Sequence, residues 1–209
     1  MVGGGRVAQR KVKGLLACEA QLTVISPELT DELQAMWGRQ EITWQERSYQ
    51  DGDLQGAFLV IAATDDAKVQ EMVHQEAEAR NIILNVADVP DKCSFILPAL
   101  IKRGDLTIAV STAGKSPAMA KTLRQHLEQE LGIEYAVLVD VLGLTRPEVL
   151  ARGRSQKENE DVFNRIIASD ILERLKAKDW QGVEEILEAV PGLDLTPETM
   201  AAVKGIVMS

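Results

Sequence analysis

The chain opens on a glycine-rich turn in which Gly3, Gly5 and Ala8 follow the spacing Gly-x-Gly-x-x-Ala. This spacing is typical of the turn that joins a buried β-strand to a helix in a dinucleotide-binding unit. Gly3 permits the tight turn, Gly5 lets the backbone approach a pyrophosphate, and Ala8 lets the helix pack closely on the sheet. The phosphates bind free N–H groups at the helix start, where the helix dipole favours negative charge. The pattern predicts a nucleotide site; the alternative is a flexible terminal segment.

Only Met1 and Val2 precede the glycines, so we expect the first strand of the predicted sheet to be missing. A strand at this point of the chain lies in the middle of the sheet, and its loss exposes the edges of both neighbours. It also removes buried apolar side chains, at a cost of about 2–5 kcal/mol for each large one. We therefore expect the natural protein to begin upstream of Met1.

Strands and helices alternate through the rest of the first half. A helix follows the turn, and further helices are predicted over residues 28–37 and 67–80. Predicted strands cover residues 21–26, 42–45, 57–63 and 82–86. Apolar runs bounded by turn residues are typical of buried parallel strands. The alternation predicts an α/β fold with a Rossmann-type parallel sheet.

The second half of the chain has a different pattern. Residues 95–102 and 106–111 flank Arg103-Gly104-Asp105, which indicates a β-hairpin. A helix is predicted from Ser116-Pro117 to Leu131. Later helices are predicted over residues 134–152, 158–178 and 180–190 and after Thr196-Pro197. The predicted organisation is a dinucleotide-binding domain over residues 1–90, a hairpin-plus-helix segment over residues 91–132 and a helical C-terminal region over residues 133–209.

Charge and composition restrict the partners. The formal net charge of −9 predicts no nucleic-acid partner, because phosphate binding needs a basic face. The sequence has no apolar run of about 18 residues and no signal-peptide pattern, so we expect a cytoplasmic protein with no membrane partner. Cys18 and Cys93 form no CxxC pattern, and His74 and His126 have no partner at ligand spacing, so we predict no metal site.

The carboxyl ends of parallel strands meet at one edge of an open sheet, where cofactors bind. This edge should bring together residues 3–7, 26–28 and 64–66. In a Rossmann unit, an acidic residue near the end of the second strand usually binds the ribose hydroxyls. Here the strand in that place is the one predicted over residues 21–26, directly after the first helix. Glu28 follows that strand, and no arginine stands beside it to accept a 2′-phosphate, which favours NAD over NADP. The alternative is that Glu28 only caps the helix predicted over residues 28–37.

Asp88 follows the fourth predicted strand and is expected at the same edge. A carboxylate beside a hydride acceptor is a candidate general base, a role worth about 10²–10⁴ in rate. The alternative is an ordinary aspartate that begins the loop before Pro90.

Four motifs, taken in this order, resemble the precorrin-2 dehydrogenase family, which also forms the N-terminal module of siroheme synthase. The motifs are Gly3–Lys11, Ala62–Asp66, Asn85–Pro90 with Ser94–Pro98, and Ala109–Pro117. The similarity extends over about residues 1–131.

The resemblance implies oxidation of precorrin-2 to sirohydrochlorin with NAD⁺ and, in some members, insertion of Fe²⁺ as a further substrate. It also implies a homodimer that forms through the hairpin and the following helix. Asp88 matches the aspartate proposed to accept protons in both reactions. The implied cofactor-binding residues are Gly3, Gly4, Gly5, Arg6, Val7, Pro27, Glu28, Thr64 and Asp65.

A carboxylate-rich tetrapyrrole needs a local basic surface on an acidic protein. The candidate substrate-binding residues are Lys102, Arg103, Thr112 and Lys115, and the last two lie in a loop that precedes a helix N-terminus. Thr112 stands where some relatives carry a phosphorylated serine. The alternative is that the basic side chains are ordinary solvated residues. Two other functions stay open, namely an enzyme that also inserts Fe²⁺ and a non-catalytic module that senses NAD.

Overall fold

A computed structural model describes residues 1–208 of the chain. The chain divides into two compact units, the first ending at Leu97 and the second beginning at Pro98. The boundaries predicted at residues 90 and 132 stay predictions, because they separate segments of different function, whereas the two units are separated by their compactness alone.

The first unit is an α/β domain. Its strands are β1 (Thr23–Ser26), β2 (Thr43–Glu46), β3 (Leu59–Ala62) and β4 (Ile83–Val86). Its helices are α1 (Arg6–Leu16), α2 (Asp31–Gly38) and α3 (Ala67–Ala79), with a short 3-10 turn at Pro90–Lys92. Strand β1 pairs in parallel with β2, and β3 pairs in parallel with β4. The predicted Rossmann-type alternation is therefore confirmed, with most strands shorter than predicted.

Val2 joins the two strand pairs into one parallel arrangement. It forms parallel bridges with Ile25 of β1 on one side and with Ala62 of β3 on the other. The Val2 N–H donates to the Ile61 carbonyl at 2.9 Å, and the Gly3 N–H donates to the Ile25 carbonyl at 2.9 Å. The segment before the glycines, which looked too short to form a strand, thus occupies the central position of the sheet.

Helices cover both faces of this sheet. On one face, Val12 of α1 and Leu33 of α2 pack with Val24. On the other face, Val73 of α3 packs with Val60 and Leu84. The apolar side chains on both faces explain why the strands carry continuous apolar runs rather than alternating ones.

The start of α2 corrects one prediction. The helix begins at Asp31, and Thr30 is its N-cap, with the Thr30 hydroxyl accepting from the Leu33 N–H at 3.4 Å. Glu28 therefore lies before the helix and does not cap it. Glu28 lies two residues before the N-cap, which is too far for its side chain to accept from the free N–H groups of the first turn. Thr30 satisfies one of these groups directly.

The second unit consists of a β-hairpin followed by helices. The hairpin strands are β5 (Ala99–Arg103) and β6 (Leu106–Val110), which pair antiparallel as predicted. The helices are α4 (Pro117–Glu130), α5 (Glu134–Leu150), α6 (Gln156–Ile167), α7 (Ile171–Ala177), α8 (Trp180–Ala189) and α9 (Pro197–Met208). Buried side chains of α5 to α9, among them Val141, Ile166 and Val183, form its core. No helix within residues 1–208 is both long and apolar enough to cross a membrane.

The helix predicted over residues 158–178 is wrong as a single element, because it is divided into α6 and α7. The break lies at Ser169, whose hydroxyl donates to the Ile166 carbonyl at 2.7 Å and accepts from the Ile171 N–H at 3.3 Å. A serine side chain that bonds the local backbone in this way competes with helical hydrogen bonds. The apolar spacing continues across the break because both helices face the same core.

A buried carboxylate fixes the long connection between β2 and β3. Glu76 of α3 is 6% exposed and accepts hydrogen bonds from the Tyr49 hydroxyl, from the Gly52 N–H at 3.0 Å and from the Leu54 N–H at 3.3 Å. Arg80 donates to the same carboxylate at 2.8 Å. Burial by itself would raise the pKa of Glu76, but these hydrogen bonds outweigh it and hold the pKa below the usual 4.5.

We expect Glu76→Gln to lower the free energy of unfolding by about 1–3 kcal/mol at neutral pH, because buried donors lose a charged acceptor. The folded-state pKa lies below the unfolded one, so this contribution is present above pH 4.5 and is lost as the pH falls through the folded-state value. Urea unfolding at pH 7 and pH 4 measures both effects. Glu78→Gln, an exposed change on the same helix, is the control. A variant as stable as the wild type at pH 7 would contradict the prediction.

Candidate cofactor and catalytic site

A cleft of about 950 Å³ lies in the first unit. Its walls come from the glycine turn and from the loops that follow β1, β3 and β4, which is the edge where the carboxyl ends of the strands meet. The cleft brings together all the predicted cofactor residues and the predicted base: Gly3, Gly4, Gly5, Arg6, Val7, Pro27, Glu28, Thr64, Asp65 and Asp88.

Of the three glycines of the turn, only Gly5 has room for a side chain. Gly3 has a φ of +105°, and a Cβ there would lie 2.3 Å from the Ala63 carbonyl oxygen. A Cβ on Gly4 would lie 2.0 Å from the Glu28 carbonyl oxygen, so neither position accepts a side chain. Gly5 is different, because its Cβ would meet nothing within 4 Å. Gly5 is also the N-cap of α1 and no side chain caps this helix, which leaves the N–H groups of the first turn for a ligand.

The loop after β1 packs against the glycine turn. The Ser26 hydroxyl donates to the Glu28 carbonyl at 2.7 Å, and the Thr30 N–H donates to the Gly4 carbonyl at 3.0 Å. The Glu28 side chain is exposed at the cleft. Asp31 and Glu32 lie in an adjoining groove, where Glu32 pairs with Lys13, so the acidic character of this end of the site comes from Glu28 and Asp31. Ser26, and Thr30, which sequence reasoning did not select, shape the loop rather than carry charge.

The loop after β3 is held by short-range hydrogen bonds. The Thr64 hydroxyl accepts from the Asp66 N–H at 3.2 Å, and the Thr64 carbonyl accepts from the Gln70 side chain at 2.7 Å. Asp66 caps α3 by accepting from the N–H groups of Lys68 and Val69. Asp65 is exposed at the cleft. These bonds fix the backbone that faces the glycine turn.

Asp88 sits in a strained backbone conformation at the end of β4. Its φ is +62°, in the left-handed region that non-glycine residues adopt infrequently and that aspartate and asparagine tolerate best. The carboxylate is exposed at the cleft. Residues held in such conformations concentrate at functional sites, where the surrounding structure maintains them.

A lysine and an asparagine near Asp88 were missed by sequence reasoning. Lys11 of α1 donates to Asn85 Oδ1 at 3.1 Å, and Asn85, 7% exposed on β4, donates to the Phe95 carbonyl at 3.0 Å. Burial lowers the pKa of Lys11, as does the charge on Arg10, whereas the charges of Cys93 and Asp88 act in the opposite direction. The available signal was Asn85 itself, a polar residue inside an otherwise apolar parallel strand.

The predicted substrate-binding residues all belong to the second unit. Lys102 and Lys115 are exposed. The Arg103 guanidinium donates to the carbonyls of Leu131 at 2.9 Å and Glu128 at 2.8 Å, so it binds the C-terminal end of α4. The Thr112 hydroxyl accepts from the Ser116 N–H at 3.0 Å within the loop before α4. Arg103 and Thr112 therefore have structural partners, and the role of all four toward a substrate stays a prediction.

Comparisons with known proteins agree with this architecture. Residues 1–99 match a family described as putative NAD(P)-binding, and residues 103–130 match the central domain of sirohaem biosynthesis proteins. The siroheme synthase of Photorhabdus laumondii is 36% identical over 92% of this chain and 44% of its own length. Siroheme synthase 3 of Aeromonas hydrophila is 38% identical over 85% of this chain and 38% of its own length. The chain thus spans less than half the length of these curated relatives.

A solved structure matches most of both chains. The precorrin-2 dehydrogenase SirC has a TM-score of 0.71 and 25% sequence identity, over 88% of this chain and 92% of that one. The first unit therefore matches domains for a nicotinamide dinucleotide cofactor, and the chain is similar over most of its length to siroheme synthases and to a precorrin-2 dehydrogenase.

Proposed function

We propose that the chain is an NAD-dependent precorrin-2 dehydrogenase, which oxidises precorrin-2 to sirohydrochlorin. The observation that carries the proposal is that the glycine turn and Asp88 line one cleft. A dehydrogenase of this type needs a phosphate cradle and a proton acceptor at the same site, and this cleft holds a candidate for each. SirC, the similar solved structure, is named for the same activity.

The residues of the cleft fit a dinucleotide. Gly3 to Val7 would hold the pyrophosphate, since a Cβ at Gly5 would project into open space and α1 has no side-chain cap. Pro27 and Glu28 would hold the adenosine, and Thr64 and Asp65 would close the site over the cofactor. When bound, the nicotinamide ring would supply the hydride acceptor.

The charges at the adenosine end favour NAD over NADP. Glu28 lines the cleft, and Asp31 and Glu32 line the adjoining groove. Arg6 is the basic residue shared by these two surfaces, and it belongs to the pyrophosphate turn. A 2′-phosphate near Glu28 would face a like charge, whereas the ribose hydroxyls of NAD can donate to its carboxylate.

Asp88 would act as the proton acceptor. The oxidation removes a hydride and a proton from the substrate, so a base must take the proton as the hydride leaves. The Asp88 carboxylate is exposed in the cleft and is free to reach a bound substrate. Lys11, held by its hydrogen bond to Asn85, lies close enough to Asp88 for the carboxylate charge to raise the pKa of the lysine, and would supply a positive charge beside the proposed base.

Two further parts of the proposal concern the second unit. Lys102 and Lys115 would attract the substrate carboxylates. The homodimer implied by the family resemblance would cover apolar side chains of the hairpin and α4, of which Leu100 is 49%, Met119 52% and Leu123 37% exposed. Use of Fe²⁺ as a second substrate stays a prediction of the resemblance.

The first test replaces Asp88. We expect Asp88→Asn to reduce kcat by about 10²–10⁴ while the Kd for NAD⁺ stays unchanged, because the side chain accepts a proton but does not hold the cofactor. Asparagine keeps the left-handed backbone conformation, which alanine would strain. Formation of NADH from precorrin-2 and NAD⁺ measures turnover, and Asp91→Asn is the control on the neighbouring turn. Undiminished turnover in Asp88→Asn would exclude Asp88 as the base, and wild-type protein that binds NAD⁺ without turnover would favour the sensing module.

The second test compares two glycines that have room for a side chain, Gly5 at the N-cap of α1 and Gly14 within α1. A Cβ at Gly5 or at Gly14 would meet nothing within 4 Å, but only Gly5 lines the cleft. We expect Gly5→Ala to weaken NAD⁺ binding by about tenfold or more with little change in Tm, because the new methyl group occupies the space of the pyrophosphate. Gly14→Ala should leave binding unchanged. Equal affinities of the two variants, measured by titration calorimetry, would remove the turn from the cofactor site.

The third test concerns cofactor choice. We expect Glu28→Gln to lower the ratio of the Kd for NADP⁺ to the Kd for NAD⁺ by about fivefold to tenfold, because it removes a like charge from the site of the 2′-phosphate. The exposed change Glu78→Gln lies outside the cleft and should leave the ratio unchanged. A ratio in Glu28→Gln equal to that of the wild type would show that Glu28 does not select the cofactor.

A further inference from the structure

The second unit contains a cavity of about 860 Å³ between α5 and α6. None of its lining residues belongs to the cofactor cleft. Its volume lies within the range of about 300–1,000 Å³ that is usual for small-molecule sites. The proposed dehydrogenase reaction uses no residue of this cavity, so its lining calls for a separate explanation.

One wall of the cavity is apolar. Leu142 and Leu150 of α5 and Phe163 of α6 contribute to it, and Leu150 is 47% exposed. Gly143 belongs to the same wall, and a Cβ there would meet nothing within 4 Å, so the space beside it is open. Such a wall suits a flat ring better than a bare anion.

Two arginines of the lining form no ion pair within residues 1–208, although the charge of Arg154 contributes to lowering the pKa of the Glu158 carboxyl. Arg146 lies 5.9 Å from the centre of the Phe163 ring, and Arg154 donates to the Gly192 carbonyl at 2.7 Å. Four of the five other arginines of the same unit form ion pairs with acidic residues, namely Arg103, Arg124, Arg152 and Arg174, whereas the exposed Arg165 forms none among the described residues. Glu160 also lines the cavity but pairs with neither arginine. In a chain with 32 acidic and 23 basic residues, two arginines that line one cavity and form no ion pair in the described part of the chain point to an external anion.

The third feature is an unsatisfied hydrogen-bond acceptor. Asn159 of α6 lines the cavity and is 9% exposed. Its Oδ1 is buried and has no hydrogen-bond partner in the described part of the chain. Buried polar atoms are nearly always paired, so an acceptor without a partner on a residue of the cavity lining is suited to a donor from a ligand.

We infer that this cavity binds an aromatic carboxylate that carries an N–H donor. The carboxylate pairs with Arg146 and Arg154, the ring lies against Phe163 and the leucines, and the N–H donates to Asn159 Oδ1. The inference concerns the second unit alone and stands whether or not the chain oxidises precorrin-2.

The test compares two probes on the intact chain. Indole-3-propionate has the carboxylate, the ring and the N–H, whereas naphthalene-1-propionate has a ring of similar size without the N–H. We expect the indole probe to bind about tenfold more tightly to the wild type, as measured by titration calorimetry or ligand-observed NMR. The indole and naphthalene probes should bind Asn159→Leu with equal affinity, since the acceptor is gone. That variant should keep the wild-type Tm, because the lost acceptor has no partner in the protein.

The charge requirement is tested on matched arginines. Arg146→Gln and Arg154→Gln should each weaken binding of the indole probe by about tenfold. Arg165→Gln removes the same charge from α6 at a position outside the cavity and should leave the Kd unchanged. The inference is overturned if the wild type does not bind the indole probe, if it does not distinguish the two probes, or if Arg165→Gln weakens binding as much as Arg146→Gln does.

Discussion

The backbone pairing of Val2 is the interaction on which the cofactor site depends. Val2 lies between β1 and β3, and its hydrogen bonds are the link that makes one sheet from two strand pairs. The glycine turn begins one residue later, so the same pairing places Gly3 against the Ala63 carbonyl and Gly5 at the mouth of the cleft. Val2 contributes main-chain hydrogen bonds and a buried side chain, which is 3% exposed.

The cleft combines rigid backbone with exposed functional groups. Gly4 and the loop after β1 are in close contact, and Thr64 is held by bonds to the start of α3, so the two walls have little freedom. Glu28, Asp65 and Asp88, in contrast, present exposed carboxylates to the cleft. This division is typical of a site in which the main chain recognises phosphates and the side chains act on the rest of the ligand.

The sequence predictions were accurate where a structure depends on a local pattern of residues, and they failed where it depends on one particular side-chain contact. Alternating apolar runs and turns predicted the strands, the hairpin and most helices, because their patterns are local. The break at Ser169 was missed because apolar spacing runs through it, while the cause is one hydroxyl that bonds the backbone on both sides. The contact between Lys11 and Asn85 was also missed, since it joins residues that are 74 positions apart in the chain.

The sequence by itself determined the Rossmann-type alternation, the glycine turn and the set of residues at the carboxyl ends of the strands. These follow from residue types at short spacings, since glycine alone fits Gly3 and parallel strands must all end at one edge. The tertiary structure alone decided that Val2 pairs with both β1 and β3, that Arg103 binds the end of α4, and that Asn159 Oδ1 lacks a hydrogen-bond partner in the described part of the chain. Each of these depends on which groups come into contact in the folded chain, and a local sequence pattern does not predict contacts between residues that are distant in the sequence.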